Sequence, residues 1–157
     1  MPDTSNLKGI EQGRADFAYK CAEEAKQIWS REGMPDNKDS REAKDYKSYV
    51  KKIPMMIKTN GLGATLAFIK SKSKCKNNKP SNAYALINEQ LKQWFLHDAQ
   101  HYLMPELTSN DDLVAVVIAL KSTQYRAVTV EIMALFGWLR RFAEGLIEGE
   151  ADNDGQG

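Results

Sequence analysis

Apolar residues recur every three to four positions along almost the whole chain, the spacing that lines them up on one face of an α-helix. From Leu7 to Arg31, the residues Ile10, Phe17, Cys21, Ala25 and Ile28 form such a stripe, with charges opposite. GMPDNKDS, Gly33 to Ser40, interrupts the pattern: its glycine ends the first helix, and Asp39 or Ser40 can cap the next. Tyr46, Tyr49, Val50 and Ile53 share a face of that second helix. Pro54 stops or restarts it, because proline lacks the N–H that a helix interior needs. Thr59 or Asn60 can cap a third helix carrying Leu62, Leu66 and Ile69. SKCKNNKPS, Ser73 to Ser81, has no apolar period and is expected to be a mobile loop.

A fourth helix buries Tyr84, Ile87, Leu91 and Phe95, and Met104-Pro105 marks a break. Ser109-Asn110-Asp111-Asp112 then signals a helix start. The fifth helix, Leu113 to Leu120, is apolar nearly all round, as a central core helix would be. Ser122 can cap the last, longest helix, in which Tyr125, Val128, Ile132, Leu135, Leu139, Phe142 and Leu146 keep helical spacing. No repeat or domain boundary divides the chain. The expectation is a single all-α domain, a compact bundle of five to six helices over residues 1–148, with an acidic, disordered tail at 149–157.

Composition adds little to this: 157 residues, 42% hydrophobic and 27% charged, suit one soluble domain. No apolar run approaches the ~20 residues that span a bilayer, and the N-terminus lacks the apolar core of a signal peptide. No membrane association and a cytoplasmic location are expected. Cys21 falls among apolar helical positions and Cys75 in a lysine-rich segment, so both are expected to be free thiols, the first buried and the second exposed.

Charge changes the picture more. The net charge is +1, yet nine lysines and no acid lie between Tyr46 and Asn88 (Lys47, Lys51, Lys52, Lys58, Lys70, Lys72, Lys74, Lys76 and Lys79), while the remainder carries −8. Such separation gives a local positive field despite the balanced total. Arg140 and Arg141 add a second basic cluster on the last helix, where Glu144 is within pairing distance along the sequence. Lysines at helical intervals suit phosphate contact that reads no sequence.

The motifs for other chemistry fail on spacing. Gly61 and Gly63 stand one residue apart and Lys58 precedes them, so the P-loop pattern is absent, and no βαβ unit supports a dinucleotide fold. The glycines, with Ala64 and Ala67, fit close helix packing; the free N–H groups at that helix start could also hold one phosphate beside Lys58. His97 and His101, in HDAQH, have the spacing of two zinc ligands on one helix face. A third ligand and a well-placed general base are missing, so no metal site and no cofactor are expected. Trp29, Trp94, Trp138, Phe95 and Phe142 fall at or beside core positions. No catalytic residues are assembled, and the chain is not expected to be an enzyme.

Three strings carry a resemblance: IEQGRADFAYKC (Ile10 to Cys21), YKSYVKKIPMMIKTNGLGATLAFIKSK (Tyr46 to Lys72) and YRAVTVEIMALFGWLRRFAEGLIEGE (Tyr125 to Glu150). Together they resemble the small helical subunit of the type III-B CRISPR effector, the Cmr complex. The resemblance implies a non-catalytic all-α subunit that stacks as a filament beside the crRNA-binding backbone subunits. It further implies contact with the crRNA–target RNA duplex, within matched strings, through Arg14, Lys51, Lys52, Lys58, Lys70, Arg140 and Arg141. The implied partners are other Cmr subunits, neighbouring copies of the chain, crRNA and target RNA. A protein–protein assembly subunit without RNA contact is the alternative.

Overall fold

A computed structural model describes residues 4–29, 39–97 and 100–149. Most of the expected connector at 33–40 and all but Gly149 of the expected tail at 149–157 lie outside these residues. The described chain forms six α-helices: α1 (Thr4–Trp29), α2 (Asp39–Asn60), α3 (Leu62–Lys72), α4 (Ala83–Leu96), α5 (Leu113–Ile118) and α6 (Ser122–Leu146). Two short strands, β1 (Cys75–Lys76) and β2 (Lys79–Pro80), separate α3 from α4, and a 3-10 turn (His101–Leu103) follows α4. The all-α expectation holds in class and helix number.

The two longest helices, α1 and α6, make the most extensive pairing, and α2 closes against α6, α4 and α1. Their shared core is one cluster that runs from Ala18, Cys21 and Trp29 through Tyr46, Val50 and Ile53 to Val128, Ile132, Phe136 and Leu139. On α1 the expected stripe holds in its middle, with Cys21 and Ala25 buried and Phe17 packed against the core, and fails at its ends. Ala18, Ala22 and Ala25 are fully buried, whereas Ile10 and Ile28 stay 44% and 40% exposed. Alanines at the contact let a neighbouring helix approach closely, so small residues rather than the largest ones define this interface.

Helix α2 runs straight through Pro54. Proline forfeits one backbone hydrogen bond there, but Val50, Ile53 and Ile57 are buried around it, and tertiary burial rather than local propensity holds a helix in a protein. Thr59 and Asn60 therefore belong to α2 and cap nothing. A single residue, Gly61, separates α2 from α3; its φ of +88° and ψ of 162° lie where side chains are excluded. Its N–H donates to the Ile57 carbonyl at 2.9 Å and its carbonyl accepts the Thr65 N–H at 3.2 Å and the Thr65 hydroxyl at 2.8 Å.

Two further expectations are corrected. Ser73 to Ser81 holds an antiparallel hairpin in place of a structureless loop, with Cys75 paired to Pro80 and Lys76 to Lys79. Helix α5 is not enclosed: it has six residues, buries only Leu113 and Val117, and leaves Ile118 68% exposed. Fewer than two turns can cover only one spot on the core. Asp112 sits at its N-cap without a side-chain cap bond; instead Asp111 Oδ2 accepts from the Thr108 N–H and hydroxyl at 2.9 and 3.0 Å. No helix among the described residues is long and apolar enough to cross a membrane.

Candidate nucleic-acid interface

The basic residues sort by what they touch. Arg14 on α1 aims its guanidinium inward: Nε donates to Glu131 Oε1 at 3.1 Å and Nη2 to Glu131 Oε2 at 2.6 Å, while Nη1 reaches Glu11 at 2.6 Å. Glu131 is a buried residue of α6 and also accepts the Trp94 indole N–H at 3.1 Å. The bond from Glu131 is the main reason that the Arg14 pKa rises above its ordinary value. Glu131 thereby joins α1, α4 and α6, and Arg14 faces protein on every donor described.

Lys47, one of the nine lysines of the acid-free stretch, is buried as well. Its ammonium donates to the carbonyl oxygens of Ile147 and Gly149 at 3.1 and 2.7 Å. The last carbonyls of a helix have no partners within it and lie at the negative end of its dipole. Lys47 therefore completes the C-terminus of α6 from a different helix.

The remaining α2 lysines reach the surface. Lys47 opposite Ile147 and Lys51 ion-paired to Glu144 show that α2 and α6 run antiparallel along this edge. Along the same antiparallel run, one further turn from the Lys51–Glu144 pair reaches Met55 and Arg140, and a second reaches Lys58 and Gly137. Lys52, Lys58, Arg140 and Arg141 are all exposed, and none of these four has an ion pair among the described residues. Arg141 lies over the Trp138 ring, 5.8 Å from its centre, and the Trp138 indole donates to Glu11 at 2.8 Å. The Glu144 carboxyl is held below the usual range, chiefly by the hydrogen bond from Lys51 and then, against some desolvation, by the charges of Lys47, Lys51 and Arg140. Lys51 and Arg140 thus both lie within electrostatic reach of this one carboxylate at the α2–α6 contact.

Lys70 stands apart from that edge. It occupies the last turn of α3 and its ammonium lies 3.8 Å from Asp112, at the start of α5. Of the seven expected RNA contacts, five lie on the paired helices α2 and α6 (Lys51, Lys52, Lys58, Arg140 and Arg141), where Lys51 and Arg140 both act on Glu144 and Arg141 lies against Trp138; Lys70 lies on α3 and Arg14 turns inward.

The helix start at Gly61 offers fewer donors than its sequence suggests. The Gly63 N–H donates to the Tyr125 hydroxyl of α6 at 2.7 Å. A Cβ at Gly63 would lie 3.3 Å from Ile118 Cγ2, so this glycine does serve close packing; Ala64 and Ala67, by contrast, face solvent. His97 ends α4 and His101 begins the 3-10 turn, with its Nδ1 3.1 Å from the Phe95 carbonyl oxygen. The two histidines do not share a helix face, and no cluster of three metal-binding side chains occurs among the described residues. Cys21 is buried and Cys75 exposed, both as free thiols, and burial pushes the Cys21 thiol pKa far up.

A cleft of about 840 Å³ opens between α1, the end of α4 and the 3-10 turn. Ile10, Phe17 and Tyr102 line it, and the Arg14–Glu131 pair forms part of its wall. Tyr102 is 74% exposed there.

A family described as CRISPR-associated protein (Cas_Cmr5) matches residues 10–146 of this chain. Among solved structures, the X-ray crystal structure of a CRISPR-associated Cmr5 family protein from Thermus thermophilus has the same fold. It superposes with a TM-score of 0.60 at 24% sequence identity, over 88% of this chain and 98% of that one.

Proposed function

The chain belongs to the Cas_Cmr5 family of CRISPR-associated proteins, and from that premise we propose that it is the non-catalytic small subunit of a type III-B CRISPR effector, the Cmr complex. In this reading copies of it stack beside the crRNA-binding subunits, and its basic edge meets the backbone of the crRNA–target RNA duplex. The observation that carries the RNA contact is the α2–α6 edge. There Lys52, Lys58, Arg140 and Arg141 are exposed with no ion pair among the described residues, and Lys51 adds its charge beside Glu144. Cations on rigid helices neutralise phosphates and release counterions, which gives salt-sensitive binding indifferent to sequence. Base pairing between guide and target then supplies the sequence reading, as in other RNA-guided effectors. Lys70 is a peripheral contact, and Arg14 acts by fixing α1 to α6.

The test is charge reversal of Lys52→Glu with Lys58→Glu in the complex copurified from the native host. Target-RNA affinity is expected to fall roughly tenfold at 0.1 M salt, with a shallower salt dependence and unchanged subunit composition. Unchanged affinity would sink the RNA reading.

A second reading, a subunit that only assembles proteins, draws on the exposed apolar residues Met55, Ile118 and Val130, each more than 60% exposed. Isolated apolar residues on a surface are ordinary, and partner contact through them is compatible with RNA contact through the edge. The same reversal separates the two: loss of a partner subunit with RNA affinity retained favours pure assembly.

A further inference from the structure

The hairpin between α3 and α4 is built more firmly than its sequence suggests. Asn77 and Asn78 form its two-residue loop with φ of 54° and 61°, the paired left-handed conformation that matches the twist of a tight hairpin. At its base, Asn82 Oδ1 accepts the N–H groups of Lys74 and Ala85, both at 3.0 Å, and Asn82 Nδ2 donates to the Lys72 carbonyl at 2.8 Å. The Ser81 N–H and hydroxyl both donate to the Lys74 carbonyl, at 2.8 and 2.9 Å. Ser73 Oγ donates to the Ile69 carbonyl at 2.7 Å. A two-stranded ribbon is marginal in isolation; this one is clamped to two helices.

Its charges are arranged against its own stability. Lys74 immediately precedes β1, and its carbonyl accepts the Ser81 N–H, which continues the ribbon's pairing by one residue. On strand alternation it lies on the same side as Lys76. Lys79 is the direct cross-strand partner of Lys76 and therefore projects from that side too. Like charges set opposite one another destabilise a strand pair. Lys74, Lys76 and Lys79 are exposed and form no ion pair among the described residues. Glu42 is close enough to Lys74 for that lysine to lower its pKa, which leaves Lys76 and Lys79 as the uncompensated pair. An anion between two facing ammonium groups turns their repulsion into attraction.

We infer that the hairpin is a second, separate RNA contact: Lys76 and Lys79 take one backbone phosphate between them, and Lys74 meets its neighbour along the strand. The inference rests on the RNA reading proposed above and adds an element that contains none of the five residues on the α2–α6 edge. The hairpin offers no large apolar side chain for insertion into a membrane or a protein pocket; beyond lysines its residues are Cys75, Asn77, Asn78 and Pro80. A row of three cations on a rigid ribbon suits a row of phosphates, and it reads no bases.

The test uses the effector complex copurified from its host, carrying Lys76→Gln with Lys79→Gln. Target-RNA affinity is expected to fall roughly tenfold at 0.1 M salt, and the slope of log K against log salt to become shallower by about 0.7–0.9, the value for one lost phosphate contact. Lys76→Arg with Lys79→Arg keeps affinity within about twofold. Lys76→Glu alone, which creates a favourable cross-strand pair with Lys79, weakens RNA binding without lowering the melting temperature of the purified chain. If the glutamine and Lys76→Glu variants leave affinity and slope unchanged while Lys52→Glu with Lys58→Glu weakens binding, the hairpin inference falls and the RNA reading stands. If no variant changes RNA binding, both fall. Loss of a partner subunit with RNA affinity retained also overturns the inference, in favour of an acidic protein surface.

Discussion

The Nζ of Lys47 lies 3.1 Å from the carbonyl oxygen of Ile147, so a buried cation on α2 closes the end of α6, a hundred residues further along the chain. Its second bond, to Gly149 at 2.7 Å, holds the chain as it leaves that helix. Lys47→Met keeps the aliphatic stem and strands both carbonyls. Unfolding in denaturant is expected to show a loss of about 2 kcal/mol, the range for a buried polar group deprived of its partner. RNA binding per folded molecule is expected to stay unchanged, which separates this lysine from Lys52 and Lys58.

Arg14 and Glu131 form a two-bond ion pair whose side chains are only 16% and 9% exposed. Removing one partner of a buried pair leaves an uncompensated charge, typically at about 3–5 kcal/mol. Arg14→Met is therefore expected to lower stability by about 3 kcal/mol. Glu131→Gln in the same chain removes the stranded charge and keeps an acceptor for the Trp94 N–H. The double variant should recover more than half of the loss, and a double-mutant cycle measures the coupling.

Two glutamates respond to pH with opposite signs. Glu11 has its pKa lowered, first by the Trp138 indole N–H and then by Arg14, against some desolvation. Its contribution is present above the unfolded value of about 4.3 and is lost as pH falls through the folded value. Glu42 has its pKa raised, first by burial and also by Asp45, and only partly offset by the Ala83 N–H, Arg41 and Lys74. Its ionised form opposes folding, so stability falls as pH rises from about 4.3 through its folded value. Glu11→Gln should lower the melting temperature at pH 7 by a small margin, because Glu11 is half exposed, and the difference should shrink as pH falls through the folded value. Glu42→Gln should raise the melting temperature at pH 7 and have no effect near pH 3, where the carboxyl is protonated in both states.

Gly61 separates two helices with a backbone conformation that glycine alone adopts readily. Gly61→Ala is expected to lower stability by about 2 kcal/mol, within the range for such strain. The added Cβ would sit 3.7 Å from the Tyr125 hydroxyl, an ordinary contact. The loss would therefore come from the backbone, and Gly61→Asn should be no better tolerated, as chemical denaturation would show.

The helices could be read from the sequence because each carries its own period, and Leu62, Leu66, Ile69, Ile87, Leu91 and Phe95 are buried as that period predicts. What the period could not supply were the partners. Nothing near Lys47 in the chain announces a carbonyl at Ile147, and nothing near Arg14 announces Glu131. Both bonds span more than ninety residues, and a lysine or arginine bound inward has the same sequence appearance as one facing RNA. The hairpin was hidden for a different reason. Its strands are two residues long, too short for an alternating pattern, and its one local signal was the pair Asn77-Asn78, whose tolerance of left-handed backbone suits a tight turn.

Asn82 caps α4 and clamps the hairpin with the same carboxamide oxygen. The amide protons of Lys74 and Ala85 consequently share one acceptor and one opening event. When that carboxamide swings away, both become available to solvent together, and when the hairpin is gripped, both are shielded together. Hydrogen exchange should then slow at Ala85, on a helix outside both proposed RNA contacts, in step with Lys74 at the root of the ribbon. The side chain thus acts as a latch whose closure at one end can be timed from the other.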